Sequence, residues 1–187
     1  MKHRRVFLAD SLLALALVAA AGPVSAQQAA PAGLMGDLLK DVTEVEEKLV
    51  SLAQAVPAEK YDWRPGEGVR SISEVVMHVA ADNYFIPTMV GATAPAETGI
   101  KSGEYPSAVA FEQRKATKEQ GIAELQRSFA FLKQALSAVP ESKLGETAGG
   151  GMTHRAVWIL AATHLHEHLG QFIAYARMNQ VVPPWSR

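Results

Sequence analysis

The sequence predicts an all-α fold, a bundle of long amphipathic helices that follows a removable leader. Three observations predict it. Apolar residues recur at steps of three and four through four long stretches, while no stretch carries a convincing strand pattern. Breakers such as Pro57, Pro140 and Gly149-Gly150-Gly151 fall between those stretches, where helices should end. The 187-residue chain has no internal repeat and no cysteine, so its core must hold the fold without disulfides or thiolate ligands.

The leader comes first. Lys2, His3, Arg4 and Arg5 give a basic start, and Leu12 to Ala21 form an apolar run. Gly22-Pro23 breaks that run, and Val24-Ser25-Ala26 presents small residues for cleavage. This order is that of a secretory signal peptide over residues 1–26. The apolar run is shorter than the roughly 20 residues a membrane-spanning helix requires. Cleavage is therefore expected, with no membrane association afterwards and a periplasmic or secreted destination. It leaves 161 residues, a length that suits one domain. Lys2, Arg4, Arg5 and Asp10 leave with the leader, so the net charge moves from −1 to −3. A weakly acidic chain without a basic cluster has no electrostatic footprint for nucleic acid.

A flexible lead over residues 27–33 precedes the first helix. Leu34, Leu38, Val42, Val45, Leu49, Leu52 and Val56 form its apolar stripe, and Pro57 stops it. Tyr61 to Gly68 is dense in breakers and reads as a structured loop. Ser71 with Glu74 three residues on is a capping box that opens the second helix, Ile72 to about Val90. Pro87 should kink or shorten its end. Residues 91–106 read as a long connecting loop. A third pattern covers 107–139. Within it, Thr117 and Gln120 form an internal capping box, which divides the region into two helices in tandem. The last helix runs from about Thr153 to Met178, with Val157, Leu160, Ala161, His164, His168, Phe172 and Tyr175 on or near one face.

Chemistry is concentrated in Thr163-His164-Leu165-His166-Glu167-His168. A helical residue advances about 100°, so a step of four returns to the same direction. His164 and His168 therefore project together, and His166 points elsewhere. The zincin helix uses the same spacing with a glutamate directly after the first histidine, but here Leu165 holds that slot. The one other histidine inside an apolar helical stripe is His78, beside Val75, Val76, Val79 and Ala80. It is the candidate third ligand, and a structural core histidine is the alternative. His154 should lie near the cap of the last helix or in solvent.

Trp63-Arg64-Pro65, Arg70-Ser71-Ile72-Ser73-Glu74, Met77-His78-Val79-Ala80, His164-x-x-x-His168-Leu169-Gly170-Gln171, Tyr175-Ala176-Arg177 and Pro183-Pro184-Trp185-Ser186 follow one another in that order. Together they resemble the DinB-like superfamily of DNA-damage-inducible proteins, from about Leu34 to the C-terminus. The resemblance implies an up-down-down-up four-helix bundle over 34–187, a metal site on His78, His164 and His168, and often a homodimer. Asn179-Gln180 departs from the family, which more often ends the last helix with glycine. Some members are thiol-dependent transferases or isomerases. Low-molecular-weight thiols are scarce outside the cytoplasm, so export argues against that chemistry here.

Gln171, Tyr175 and Asp82 stand at helical steps from the histidines and are candidates for the shell behind them. Core packing is the alternative for Gln171 and Tyr175, and a solvent-facing position is the alternative for Asp82. Trp63, Trp158 and Trp185 are expected to anchor packing, and Arg70 to tie a loop to a helix end. Two functions are weighed. One is an enzyme using one divalent transition metal, zinc, nickel or iron, in hydrolysis or transfer on an unknown small molecule. Glu74 is the carboxylate considered as its base, although it already has a capping role. The alternative is a non-catalytic metal- or small-molecule-binding module. A fourth side chain closing the ligand set would favour the module, and an open position beside a pocket would favour the enzyme. Histidines that only pack and hydrogen-bond form a third possibility.

Overall fold

Both capping boxes form. Ser71 Oγ accepts from the Glu74 amide and the Ser71 amide donates to Glu74 Oε2, at 3.2 and 2.7 Å. Thr117 and Gln120 repeat the exchange at 3.3 and 2.9 Å. Each box satisfies two amides that a helix start otherwise leaves without partners. They open two of the five α-helices in a computed structural model that describes residues 33–186. The helices are α1 Gly33–Ala55, α2 Ile72–Phe85, α3 Tyr105–Glu112, α4 Lys118–Ser137 and α5 His154–Met178. The expected signal peptide lies outside the described residues. So does the expected lead apart from Gly33, which already belongs to α1.

The architecture is an all-helical bundle, and no β-strand occurs among the described residues. α2 sits at its centre, packed against α3, α4 and α5, and α1 packs against α4 and α5. Twelve of the 14 residues of α2 are buried, as expected of a helix that is apolar on all sides. Its polar exceptions are partnered: Asn83 donates to Ser128 Oγ at 3.1 Å and Tyr84 to Glu124 at 2.8 Å. Pro87 does shorten the helix, because residues 86–90 continue as a 3-10 turn. Lys118, at the start of α4, donates to the Gln54 and Val56 carbonyls at the end of α1. Trp63 stands edge-on to Tyr175 at 5.5 Å, which brings the loop after α1 to the end of α5.

Residues 91–104 are less loose than their composition suggests. Ala94 and Ile100 are buried with Met77, Ala80, Tyr84 and Phe85 of α2 and with Phe111 of α3. This smaller core clamps the short α3 onto α2 and fixes where Glu112, its last residue, points. In α5, Leu160 is exposed and Leu165 fills the core. The buried face follows Val157, Ala161, Leu165, Leu169 and Phe172 in steps of four and three, so Leu160 falls to its flank.

The departure at the end of α5 has a structural counterpart. Gln180 adopts φ 63°, the left-handed conformation in which glycine is favoured. Asn179 Nδ2 donates to the Tyr175 carbonyl at 2.9 Å and so caps the end with its side chain. Among the described residues, no helix is long and apolar enough to cross a membrane.

Candidate metal centre

α2 and α5 bring three imidazoles to one point. The Nε2 atoms of His78 and His168 are 3.0 Å apart, those of His78 and His164 3.2 Å, and those of His164 and His168 3.0 Å. His78 and His168 are buried and His164 is half-buried. The i,i+4 step on α5 produces this convergence. His166 lies elsewhere: it is exposed, with Nε2 2.9 Å from Asp41 of α1. His154 is the first residue of α5, next to its Thr153 cap.

Hydrogen bonds behind two of the rings set their tautomers. His78 Nδ1 donates to Glu112 Oε2 at 3.0 Å, since an ionised carboxylate can only accept. Glu112 also forms an ion pair with Arg70. His168 Nδ1 donates to Gln171 Oε1 at 2.8 Å, and Gln171 Nε2 donates to Tyr175 Oη at 3.0 Å, which fixes the amide's orientation. In a neutral imidazole with its proton on Nδ1, Nε2 presents a lone pair. Two such lone pairs therefore face one another across about 3 Å, a repulsive arrangement that a cation between them relieves. The donor set fits a transition-metal ion.

Electrostatics agree with this assignment. Burial raises the Glu112 carboxyl, but hydrogen bonds from His78 and Arg70 outweigh it and bring the pKa down to about 2. Burial, reinforced by the neighbouring imidazoles, lowers His168 to about 4 despite the Gln171 hydrogen bond. His168 is therefore neutral near pH 7, the form that ligates. Asp82, also buried, places Oδ2 3.0 Å from His164 Nε2 and 3.5 Å from His78 Nε2.

All three candidates for the outer shell, Gln171, Tyr175 and Asp82, thus lie at the cluster. Glu74 does not. It holds its cap and pairs with Arg64 at 3.2 Å, which leaves it no role as a base. Arg70 ties its loop to the end of α3, as expected. Glu112 is the residue sequence reasoning missed: it lies 34 positions from His78 and outside every motif. Trp158 is a core anchor, while Trp185 is 40% exposed. A cleft of about 1320 Å³ lies behind the rings: Glu112 and Gln171 form part of its wall, and none of the three histidines does.

Comparison with known proteins places the chain in a family. The sequence model of the DinB superfamily matches residues 41–172. A DinB-like protein from Bacillus subtilis has 17% identity and a TM-score of 0.60, over 78% of this chain and 94% of that one. A conserved protein from Enterococcus faecalis has 14% identity and a TM-score of 0.63, over 79% and 97%. A proposed DinB-family member from Exiguobacterium sibiricum has 22% identity and a TM-score of 0.58, over 78% and 91%. At these identities the likeness establishes the shared fold. No curated protein matches the sequence significantly.

Proposed function

The chain belongs to the DinB superfamily, and from that premise we propose that it is an exported protein holding one divalent transition-metal ion through His78, His164 and His168. The convergence of three Nε2 atoms within 3.0 to 3.2 Å carries this reading. Zinc, nickel and ferrous iron all accept neutral imidazole. Such an ion supplies Lewis-acid chemistry, the basis for a metal-dependent hydrolase or transferase acting on a small molecule. The cleft whose wall includes Glu112 and Gln171, the partners of His78 and His168, gives a small molecule room behind these two rings. In that wall Glu112 and Gln171 hold the rings of His78 and His168, so substrate and ligand orientation share the same residues. The alternative, a non-catalytic metal- or small-molecule-binding module, takes its support from the commitment of Glu74 to its cap and to Arg64, and of Glu112 to His78 and Arg70.

We read the domain, residues 34–187, as an up-down-down-up four-helix bundle of α1, α2, α4 and α5. Supporting this path, α4 starts where α1 ends, and the loop after α1 meets the end of α5. On α2 and α5, the pairs His78–His168 and Asp82–His164 run in opposite directions. The 1–26 leader supports a periplasmic or secreted location. A homodimer would have exposed Ile159 and Leu160 of α5 as apolar residues to cover.

The test is elemental analysis of the mature protein, purified without a histidine tag, beside His78→Ala, His164→Ala and His168→Ala. About one equivalent of transition metal is expected in the parent and near none in each variant. A parent that stays metal-free after reconstitution with zinc, nickel and ferrous iron would leave only core histidines and remove the basis for metal chemistry.

A further inference from the structure

We propose that Asp82 is a fourth protein ligand to this ion, on a six-coordinate frame. The inference rests on the three-histidine reading and sharpens it. Asp82 lies one helical turn beyond His78 on α2 and is 6% exposed. A buried carboxylate needs a cationic partner. The ion-pair partners of Asp82 among the described residues are the two imidazoles of His78 and His164, and they reach it through the same Nε2 atoms that face the centre. His78 Nε2, whose ring proton is committed to Glu112 through Nδ1, presents a lone pair toward Asp82 Oδ2 at 3.5 Å, a contact that an ion between them relieves.

The separations indicate which frame. At metal–nitrogen bonds of about 2.1 Å, ligand atoms at right angles stand about 3.0 Å apart, and those at tetrahedral angles about 3.4 Å. The histidine nitrogens stand at 3.0, 3.2 and 3.0 Å, close to one face of an octahedron. Asp82 Oδ2, at 3.0 and 3.5 Å from His164 and His78, stands at the spacing of a neighbouring ligand atom to those two nitrogens. Four protein ligands on an octahedron leave two adjacent positions. Asp82 therefore joins the set without closing it, and the site stays open to water or substrate. An N3O set with adjacent free positions suits ferrous iron or nickel better than zinc, which favours four ligands.

Cobalt(II) is the probe, added to the metal-free mature parent and to Asp82→Asn. The parent should show the weak visible bands of six-coordinate cobalt. Asp82→Asn keeps three histidines and a similar shape, so it should still bind, about 100-fold more weakly against a competing chelator and with displaced bands. Intense four-coordinate bands in the parent would overturn the proposal. So would an Asp82→Asn variant that matches the parent in affinity and spectrum. Failure of the parent to bind cobalt at all would instead sink the three-histidine reading. X-ray absorption of the cobalt-loaded parent tests the frame even if Asp82→Asn does not fold. Six nitrogen and oxygen neighbours are expected, and four would refute it.

Discussion

Two arms hold the buried histidines, and they are built on opposite principles. Behind His78 stands a charged relay, Glu112 and then Arg70, assembled from three separate parts of the chain. Behind His168 stands a neutral one, Gln171 and then Tyr175, spaced at i+3 and i+7 along α5 itself. Each arm fixes a tautomer and aims a lone pair at the same point. A charge-assisted hydrogen bond is roughly twice as strong as a neutral one, so the His78 arm should carry more of the metal affinity. It also depends on the smaller core that clamps α3 to α2, whereas the His168 arm needs only that α5 be helical.

Removing one member of each arm tests that ranking. Glu112→Gln retains an acceptor for His78 but loses the charge and leaves Arg70 without its ion pair. Loss of an outer-shell partner typically weakens metal binding ~10–100-fold, and this substitution should fall near the upper end. Gln171→Leu leaves the His168 Nδ1–H without its acceptor and should fall near the lower end. Competition titration with a chelator measures both. A Gln171→Leu loss equal to or larger than that of Glu112→Gln would reverse the comparison.

Acid should separate the arms in the metal-free protein. His168 is held at about 4, below its ordinary value of 6.5. The unfolded chain therefore binds the proton more readily, and stability present above about pH 6.5 is lost as the pH falls toward 4, by on the order of 3 kcal/mol. Glu112 is held at about 2 against an ordinary 4.5. Its contribution is present above pH 4.5 and disappears between there and pH 2. Urea midpoints followed against pH should show both windows. His168→Gln should flatten the upper one alone, and Glu112→Gln the lower one alone. If both variants flatten the same window, the arms are not electrostatically separate.

The contrast between the arms also explains what the sequence made legible. Periodicity located the helices, because an apolar stripe and a capping box are local patterns that tertiary packing reinforces. The His164–His168 pair, and the Gln171 and Tyr175 candidates behind it, were legible for the same reason: they lie on one helix at known angles. Asp82 was visible as a helical neighbour of His78, but whether it faced the ion or the solvent depended on which helices cover α2. Glu112 was invisible. Its role follows from α3 docking through Ala94, Ile100 and Phe111, and no spacing rule connects residue 112 to residue 78. The loop over 91–104 hid that docking behind a composition of small and polar residues.

The smallest expected effect distinguishes the two faces of α5. His166 lies between the ligands in sequence, yet it is turned away from them and paired with Asp41 at the surface. An exposed pair of this kind contributes about 0–1 kcal/mol. His166→Ala should therefore keep one equivalent of metal, shift the affinity less than twofold and leave the thermal midpoint nearly unchanged. Elemental analysis and a thermal melt beside His168→Ala check it. The result matters because both histidines sit in one six-residue segment, so a general disturbance of that segment would damage both variants alike. Metal lost from His168→Ala and kept by His166→Ala can come only from the direction in which each ring points. Equal loss from both would mean that the helical phase assigned to this segment is wrong, and the three-histidine centre would lose its geometric basis.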